Sequence, residues 1–470
     1  MIAIDDRLQP ADLLPALHRL WQLSAAKLDS LWETWKPEQG TPVFTIGGRY
    51  TSQGWTEWTQ GFQFGSMILQ FDASGEERFL QRGRSNTIER MASHVTHIGV
   101  HDHGFNNIST YGNLRRLMLE GRLAHDAFER DFYELALKAS GAVQAARWSR
   151  TSDGDGYLYS FNGPHSLFSD TIRSLRSLAL AHRLGHTLMA ENDTAVSLLD
   201  RLVQHARTTA KYNVYYGAGR DAYDVRGRVA HESIFNTNDG RYRCASTQQG
   251  FSPFSTWTRG LAWVMCGYAE QLEFLATLDD ASLAHLGTRR AIESMMRMAA
   301  AASCDFYLDT TPTDGVPYWD TGAPGLWHMG DYQNRPAEPF NEHEPVDSSA
   351  AAIAAQGLLR FGRYLEAAGD VGGRRYWQAG LTVLKTLLAE PYLSVGAEHQ
   401  GLLLHTVYHR PRGWDHIPPG NAIPCGESCM WGDYHLREAG LYVQRLARGE
   451  PYYTFFGPVA ALCGAERRIL

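Results

Sequence analysis

The chain has 470 residues, 44% of them hydrophobic and 11% aromatic, enough to bury a substantial core and too apolar for disorder. Its net charge of −7 comes with no lysine- or arginine-rich run, which argues against nucleic acid and anionic membranes as partners. The first twenty residues show no basic segment leading into an apolar one, and no apolar run reaches bilayer length. Of six cysteines only Cys425 and Cys429 lie close together, weak grounds for zinc or a disulfide, so a cytoplasmic setting is expected.

Strand signals are sparse, whereas apolar residues recur at helical spacing throughout. The spacing predicts twelve helices, at about 10–36, 58–71, 75–93, 104–121, 125–146, 168–187, 192–211, 256–277, 281–303, 346–368, 371–390 and 428–447. No low-complexity linker and no fixed-period repeat interrupts them, which disfavours an open solenoid. The expected fold is all-α: a single domain over 1–470, six helical hairpins closed into an (α/α)6 barrel. Residues 1–50 would form an N-terminal helix and extension packed on it. Long loops, such as 151–166 and 311–347, gather at one end and are the expected seat of function.

Several polar and aromatic groups fall where helices begin. GWTEWTQGF places Trp55 and Trp58 ahead of the second helix. In HDHGF, His101 and Asp102 precede the helical face of Phe105, Ile108 and Leu114. Asp102 there reads either as a helix cap or as part of a site. A zinc reading is weaker, because His101 and His103 are two apart rather than the four of a helical pair. In SLFSDTIRSL, Asp170 again sits at a cap position, beside an aromatic loop. A carboxyl in an apolar cleft has its pKa raised, which suits it to donate a proton near neutrality.

Further on, QQGFSPFSTWTRGLAW clusters Gln249, Trp257, Arg259 and Trp263. An indole platform beside a guanidinium and an amide suits a sugar: its apolar face stacks on the ring, and arginine clasps a carboxylate in bidentate fashion. For Trp263 a plain core position competes with this role. Trp257 and Arg259, two apart, cannot both point inward on a regular helix. His231, Trp319, Asp347 to Ser349 and Trp431 to Tyr434 also fall at loop ends or helix starts. Thirteen tryptophans, many in loops, favour carbohydrate. No dinucleotide, Walker, EF-hand or G-x-S-x-G pattern is present, so no cofactor and no metal is expected.

The ordered series WTQGF, HDHGF, SDTIRSL, TQQGF, STWTRGLAW, DGVPYWD, DSSAAAIA and WGDY resembles the unsaturated glucuronyl hydrolases, glycoside hydrolase family 88. The likeness runs from residue 58 past 434 and implies an (α/α)6 barrel. It also implies hydrolysis of a 4,5-unsaturated uronic acid from the non-reducing end of lyase-generated oligosaccharides, by hydration of the vinyl ether. By the same resemblance Asp170 is the acid/base and Asp102 the carboxylate that stabilises developing positive charge. His101, Trp58, His231, Gln249, Trp257, Arg259 and Trp263 would line the terminal sugar, His231 having the least motif around it. The implied partner is an unsaturated uronyl oligosaccharide, and the chain would act as a monomer or homodimer.

Three departures stand out. Gln248 occupies the place of a histidine in an H-Q-G motif, the segment 324–345 is longer than usual, and the chain as a whole is long; all are expected near the pocket mouth and to bear on leaving-group specificity. The alternatives are an unsaturated rhamnogalacturonyl hydrolase, an ordinary inverting glycosidase, and a non-catalytic carbohydrate-binding protein.

Overall fold

The computed structural model describes residues 1–54 and 57–457, so Trp55 and Cys463 lie outside the described residues. Twelve helical runs form two concentric rings. The inner ring comprises Gln60–Ser74; His103–Asn107, continued through a π turn at Ile108–Gly112 into Asn113–Leu119; Thr171–Ser174 with Arg176–Arg183; Thr258–Leu275; Ser348–Ala367; and Met430–Ala447. Each packs on the next, and the last packs on the first, closing an (α/α)6 barrel. Outside lie Leu14–Thr34, Glu77–Arg90, Ala127–Ala146, Leu198–Tyr212, Arg289–Thr310 and Gly373–Leu387, most of them paired with an inner neighbour. Leu14–Thr34, expected in an extension, is itself an outer-ring helix, lying on Gln60–Ser74 and Met430–Ala447.

Burial explains which helices are inner. Every residue of Thr258–Leu275 is buried, whereas Glu77–Arg90 buries only Phe79, Leu80, Gly83, Asn86 and Thr87. Inner helices also need small residues where they cross. A Cβ on Gly104 would lie 2.2 Å from the Ser174 carbonyl oxygen, and one on Gly267 or Gly357 2.8 Å from the main-chain nitrogen of Arg173 or Cys266. The glycine of HDHGF is therefore a packing requirement.

Several element boundaries differ from the sequence reading, among them the helix expected from 192, which starts at Leu198 behind the short strands Leu188–Met189 and Ala195–Val196. The helix expected at 281–303 runs over Arg289–Thr310, because Gly287 at φ +117° breaks the chain and Thr288 then caps Ala291. The helix expected from 168 starts at Thr171, since Ser166–Phe168 is a strand. That strand, Glu232–Phe235 and Tyr242–Ser246 form a three-stranded antiparallel sheet at one end of the barrel. Ser166–Phe168, with three residues, is too short to show period-two patterning. One buried core reaches from Ile2 to Phe456. Among the described residues no helix is long and apolar enough to cross a membrane.

Candidate active site

A cleft of about 380 Å³ opens at the loop end of the barrel. Eight of the nine residues expected in a site are on its wall: Trp58, His101, Asp102, Asp170, Gln249, Trp257, Arg259 and Trp263. His231 stands behind that wall, its ring against Phe168 and Trp257 at 4.5 and 4.7 Å.

The two aspartates occupy cap positions but do not cap. Neither Asp102 nor Asp170 accepts a side-chain hydrogen bond from its helix, and each remains 8% exposed. The idea that helix amides hold the Asp102 carboxylate is therefore not met. Both carboxylates turn toward one imidazole: His101 Nε2 lies 3.5 Å from Asp170 and 3.8 Å from Asp102. The two motifs are locked together through their main chains. Ser174 Oγ donates to the His101 carbonyl at 2.6 Å and accepts from Gly104 N–H at 2.9 Å, while Arg176 Nε donates to the Gly104 carbonyl at 3.0 Å. His103, by contrast, is engaged at both nitrogens, by Ser140 and by the His97 carbonyl, and burial pushes its pKa to about 4. It cannot share a metal with His101; HDHGF brings His101, Asp102 and Phe105 to the cleft wall and keeps His103 in a structural place.

Electrostatics separates the carboxyls. Burial raises Asp102 and the charge of Asp170 adds to it, against the pull of His101, so Asp102 lies above the ordinary aspartate value. Burial also raises Asp170, but its contact with and attraction to His101 hold it below that value. The expectation that Asp170 carries the raised pKa is thus reversed in the free cleft, because His101 sits closer to Asp170. Burial opposes the charge on His101, but both aspartates outweigh it and raise its pKa. His101 is enclosed by Phe161, parallel at 5.9 Å, and Phe168, edge-on at 5.5 Å, which keeps water from diluting these interactions.

His231 is set differently. Its Nδ1 accepts from the Gln248 amide at 3.0 Å, and burial pushes its pKa to about 4, so it is neutral with the proton on Nε2. Its carbonyl accepts from Ser169 N–H at 2.8 Å, so the small sheet ties His231 to the turn that carries Asp170.

Trp257 and Arg259 both reach the wall because Trp257 is the extended residue before the helix and Arg259 lies within its first turn. Arg259 does not offer the bidentate clasp expected of it. Its Nη1 donates to Asp347 at 2.8 Å and to the Val407 carbonyl, and its Nη2 donates to Gln249 at 3.1 Å and the Tyr408 carbonyl at 2.8 Å. Its guanidinium, sandwiched 4.7 Å from Trp257 and 5.0 Å from Trp431, instead pins the Val407–Tyr408 segment to the barrel. Gln249, whose carbonyl is taken by Arg259, has its amide N–H groups to present to a ligand. Trp58 is stacked on Trp431 at 5.0 Å, and Trp263 is a buried core residue that touches Phe105 and forms part of the cleft floor.

Other expectations fall out differently. Gln248 does line the cleft, but no residue of 324–345 does. Asp433 of WGDY is structural, accepting from Leu402 N–H, Leu403 N–H and the Tyr50 hydroxyl. Cys425 and Cys429 are free. Sequence reasoning missed His97, Phe161, Tyr408, His409, Arg412 and Trp414 on the wall. The run YHRPRGW was a signal for four of these: two aromatics, an imidazole and two guanidiniums in seven residues, in a loop whose only regular turn is the 3-10 turn Arg410–Arg412.

No protein-family model matches the chain. An unsaturated glucuronyl hydrolase of Formosa agariphila is 25% identical over 386 residues, covering 82% of this chain and 79% of its own length. Another, from Bacillus sp. strain GL1, is 26% identical over 409 residues, covering 87% and 90%. The crystal structure of the Bacillus sp. GL1 unsaturated glucuronyl hydrolase, responsible for the degradation of glycosaminoglycan, aligns with a TM-score of 0.68 at 22% identity. It covers 94% of this chain and 99% of its own, a likeness of fold. This chain is a relative of the unsaturated glucuronyl hydrolases, as its ordered motifs imply.

Proposed function

We propose that this protein is a glycoside hydrolase that removes a 4,5-unsaturated uronic acid from the non-reducing end of lyase-generated oligosaccharides, those of glycosaminoglycans among them. The observation that carries the reading is one buried imidazole nitrogen within 4 Å of two carboxylates, in an aromatic cleft, on a relative of enzymes with this activity.

Asp170 is the acid/base in this reading. At rest it is an anion beside a protonated His101. A bound uronate displaces water and adds a negative charge, and both raise the proton affinity of Asp170, so His101 Nε2 hands its proton across. Asp170 then protonates C4 of the substrate. The positive charge that develops at C5 and the ring oxygen is stabilised by nearby anionic oxygens, those of the Asp102 carboxylate among them. Water adds at C5 as Asp170 takes one of its protons, leaving a hemiketal that opens and releases the attached sugar. Trp58, Trp257 and Trp263 offer apolar walls, and Gln249 an amide for hydroxyls. The His231 Nε2–H, buried without a protein acceptor, adds positive potential behind Asp170. Continuity of the core supports one catalytic unit, and the free cysteines are in keeping with a cytoplasmic setting.

The test is ultraviolet absorbance of unsaturated disaccharides. Wild type should abolish the conjugated double-bond signal and Asp170→Asn should not; release of sugar from saturated substrates with the double bond untouched would overturn the proposal.

A further inference from the structure

The loop between Asp320 and Asp347 is tied at both ends to residues of the cleft wall. Asp320 is bridged through the main chain to Trp257, and Asp347 holds Arg259. Between them the chain is tightly tied. The Glu344 carboxylate accepts from Trp319 Nε1 at 2.7 Å and from Gly325 N–H at 2.8 Å. The Asn341 side chain accepts from the main-chain amides of His343 and Glu344 and donates to the carbonyls of Glu338 and Glu344. A loop held this way has little freedom left to lose on binding.

Yet this rigid loop presents large rings to water. Trp327 is 77% exposed and Phe340 68%. Trp327 packs on His328, which lies parallel to His343 at 4.9 Å. Phe340 meets the His405 ring at 4.7 Å, three residues before Tyr408 of the cleft. Flat apolar faces thus alternate with imidazole edges, and Asn341, Glu342 and His343 break the apolar surface. A protein-binding face would need a contiguous apolar centre. Rings with polar edges suit a sugar, whose C–H face stacks while its hydroxyls bond alongside.

We propose that this loop is an outer sugar-binding shelf. It would engage units of a longer oligosaccharide beyond the sugar attached to the uronate, as the chain leaves the cleft on its reducing side. The inference rests on the proposed function and adds a preference for chain length.

Trp327→Ala, Phe340→Ala and the double variant test it with unsaturated di- and hexasaccharides from one chondroitin digest. Disaccharide kcat/KM should stay within twofold of wild type, while KM for the hexasaccharide rises about three- to tenfold. Equal effects on both lengths, or none on the hexasaccharide, would overturn it. Calorimetric binding of a saturated chondroitin hexasaccharide separates this from the hydrolase reading. Weaker binding by the double variant supports the shelf even where turnover fails, and equal binding removes it. Light scattering that shows wild-type dimers lost in the double variant, with hexasaccharide kinetics unchanged, would make the face a contact between copies of this chain.

Discussion

Asp170 and Arg173 are three residues apart, one facing the cleft and one the barrel interior, and their surroundings treat buried charge in opposite ways. Arg173 donates to both oxygens of Glu270 at 3.0 Å and to Glu438 at 2.9 Å, and Arg176 approaches both glutamates at 3.5 Å. Burial alone would raise Glu438, but the two arginines outweigh it and hold the carboxyl well below its usual range. In the cleft, Asp170 Oδ1, both ring nitrogens of His101 and His231 Nε2 are buried with no hydrogen bond from the protein. Buried charge that is paired maintains the fold, whereas buried polar atoms without partners cost stability and are kept where a ligand completes them.

The contrast can be broken from either side, and the largest effect is in the cleft. Asp170→Asn and Asp102→Asn should each lower kcat/KM on unsaturated disaccharides by about a thousandfold or more, about 4 kcal/mol of barrier. The thermal midpoint near pH 7 should hold or rise in Asp102→Asn, whose carboxylate burial disfavours, and fall only modestly in Asp170→Asn, which gives up its attraction to His101. A midpoint that collapsed in either variant would place that aspartate with the structural charges. Glu438→Gln is the mirror image. Leaving Arg173 and Arg176 with one carboxylate between them should cost about 3–5 kcal/mol in denaturant unfolding, while kcat/KM of the folded variant stays within a few fold of wild type.

Ser174→Ala probes the seam between the two regions. Ser174 touches no cleft surface, but its hydroxyl joins the His101 carbonyl to the Gly104 amide. Its loss should let the aspartates drift and lower kcat about tenfold with KM little changed, about 1.4 kcal/mol. An equal fall in kcat/KM through KM alone would show a binding rather than a positioning role.

How much of this was legible in the sequence follows the same division. The rings were, because helices of fifteen or twenty residues carry their periodicity openly, and the count of twelve follows from it. The motif residues were, because their types are unusual at helix starts. The direction of each side chain was not. Arg259 carries the right chemistry for a carboxylate clasp, yet Asp347 and the carbonyls of Val407 and Tyr408, remote in sequence, occupy it. Nor could sequence assign the raised pKa, since the sign for Asp170 and Asp102 depends on a few tenths of an ångström about one imidazole. The Tyr408–Trp414 wall went unseen because a loop without periodicity declares no facing.

The effect that is smallest near pH 5 is also the sharpest test of the proton's path. With His101 raised above the ordinary histidine value of 6.5 by its two carboxylates, the alkaline limb of the rate profile should lie above that value. In His101→Gln only carboxyls remain to hold the proton, so that limb should fall toward the carboxyl range. The loss of rate should then be slight near pH 5 and grow through pH 7 and 8. The stability sign agrees. A histidine whose native pKa is raised contributes fully below the unfolded value of about 6.5, and the contribution is lost as pH rises through the native value. The wild-type advantage in thermal midpoint over His101→Gln should therefore be greatest near pH 6 and fade as the alkaline limb is crossed. If it instead grew with pH, His101 would be neutral in the native cleft, and the proton reaching C4 would have to start on Asp102.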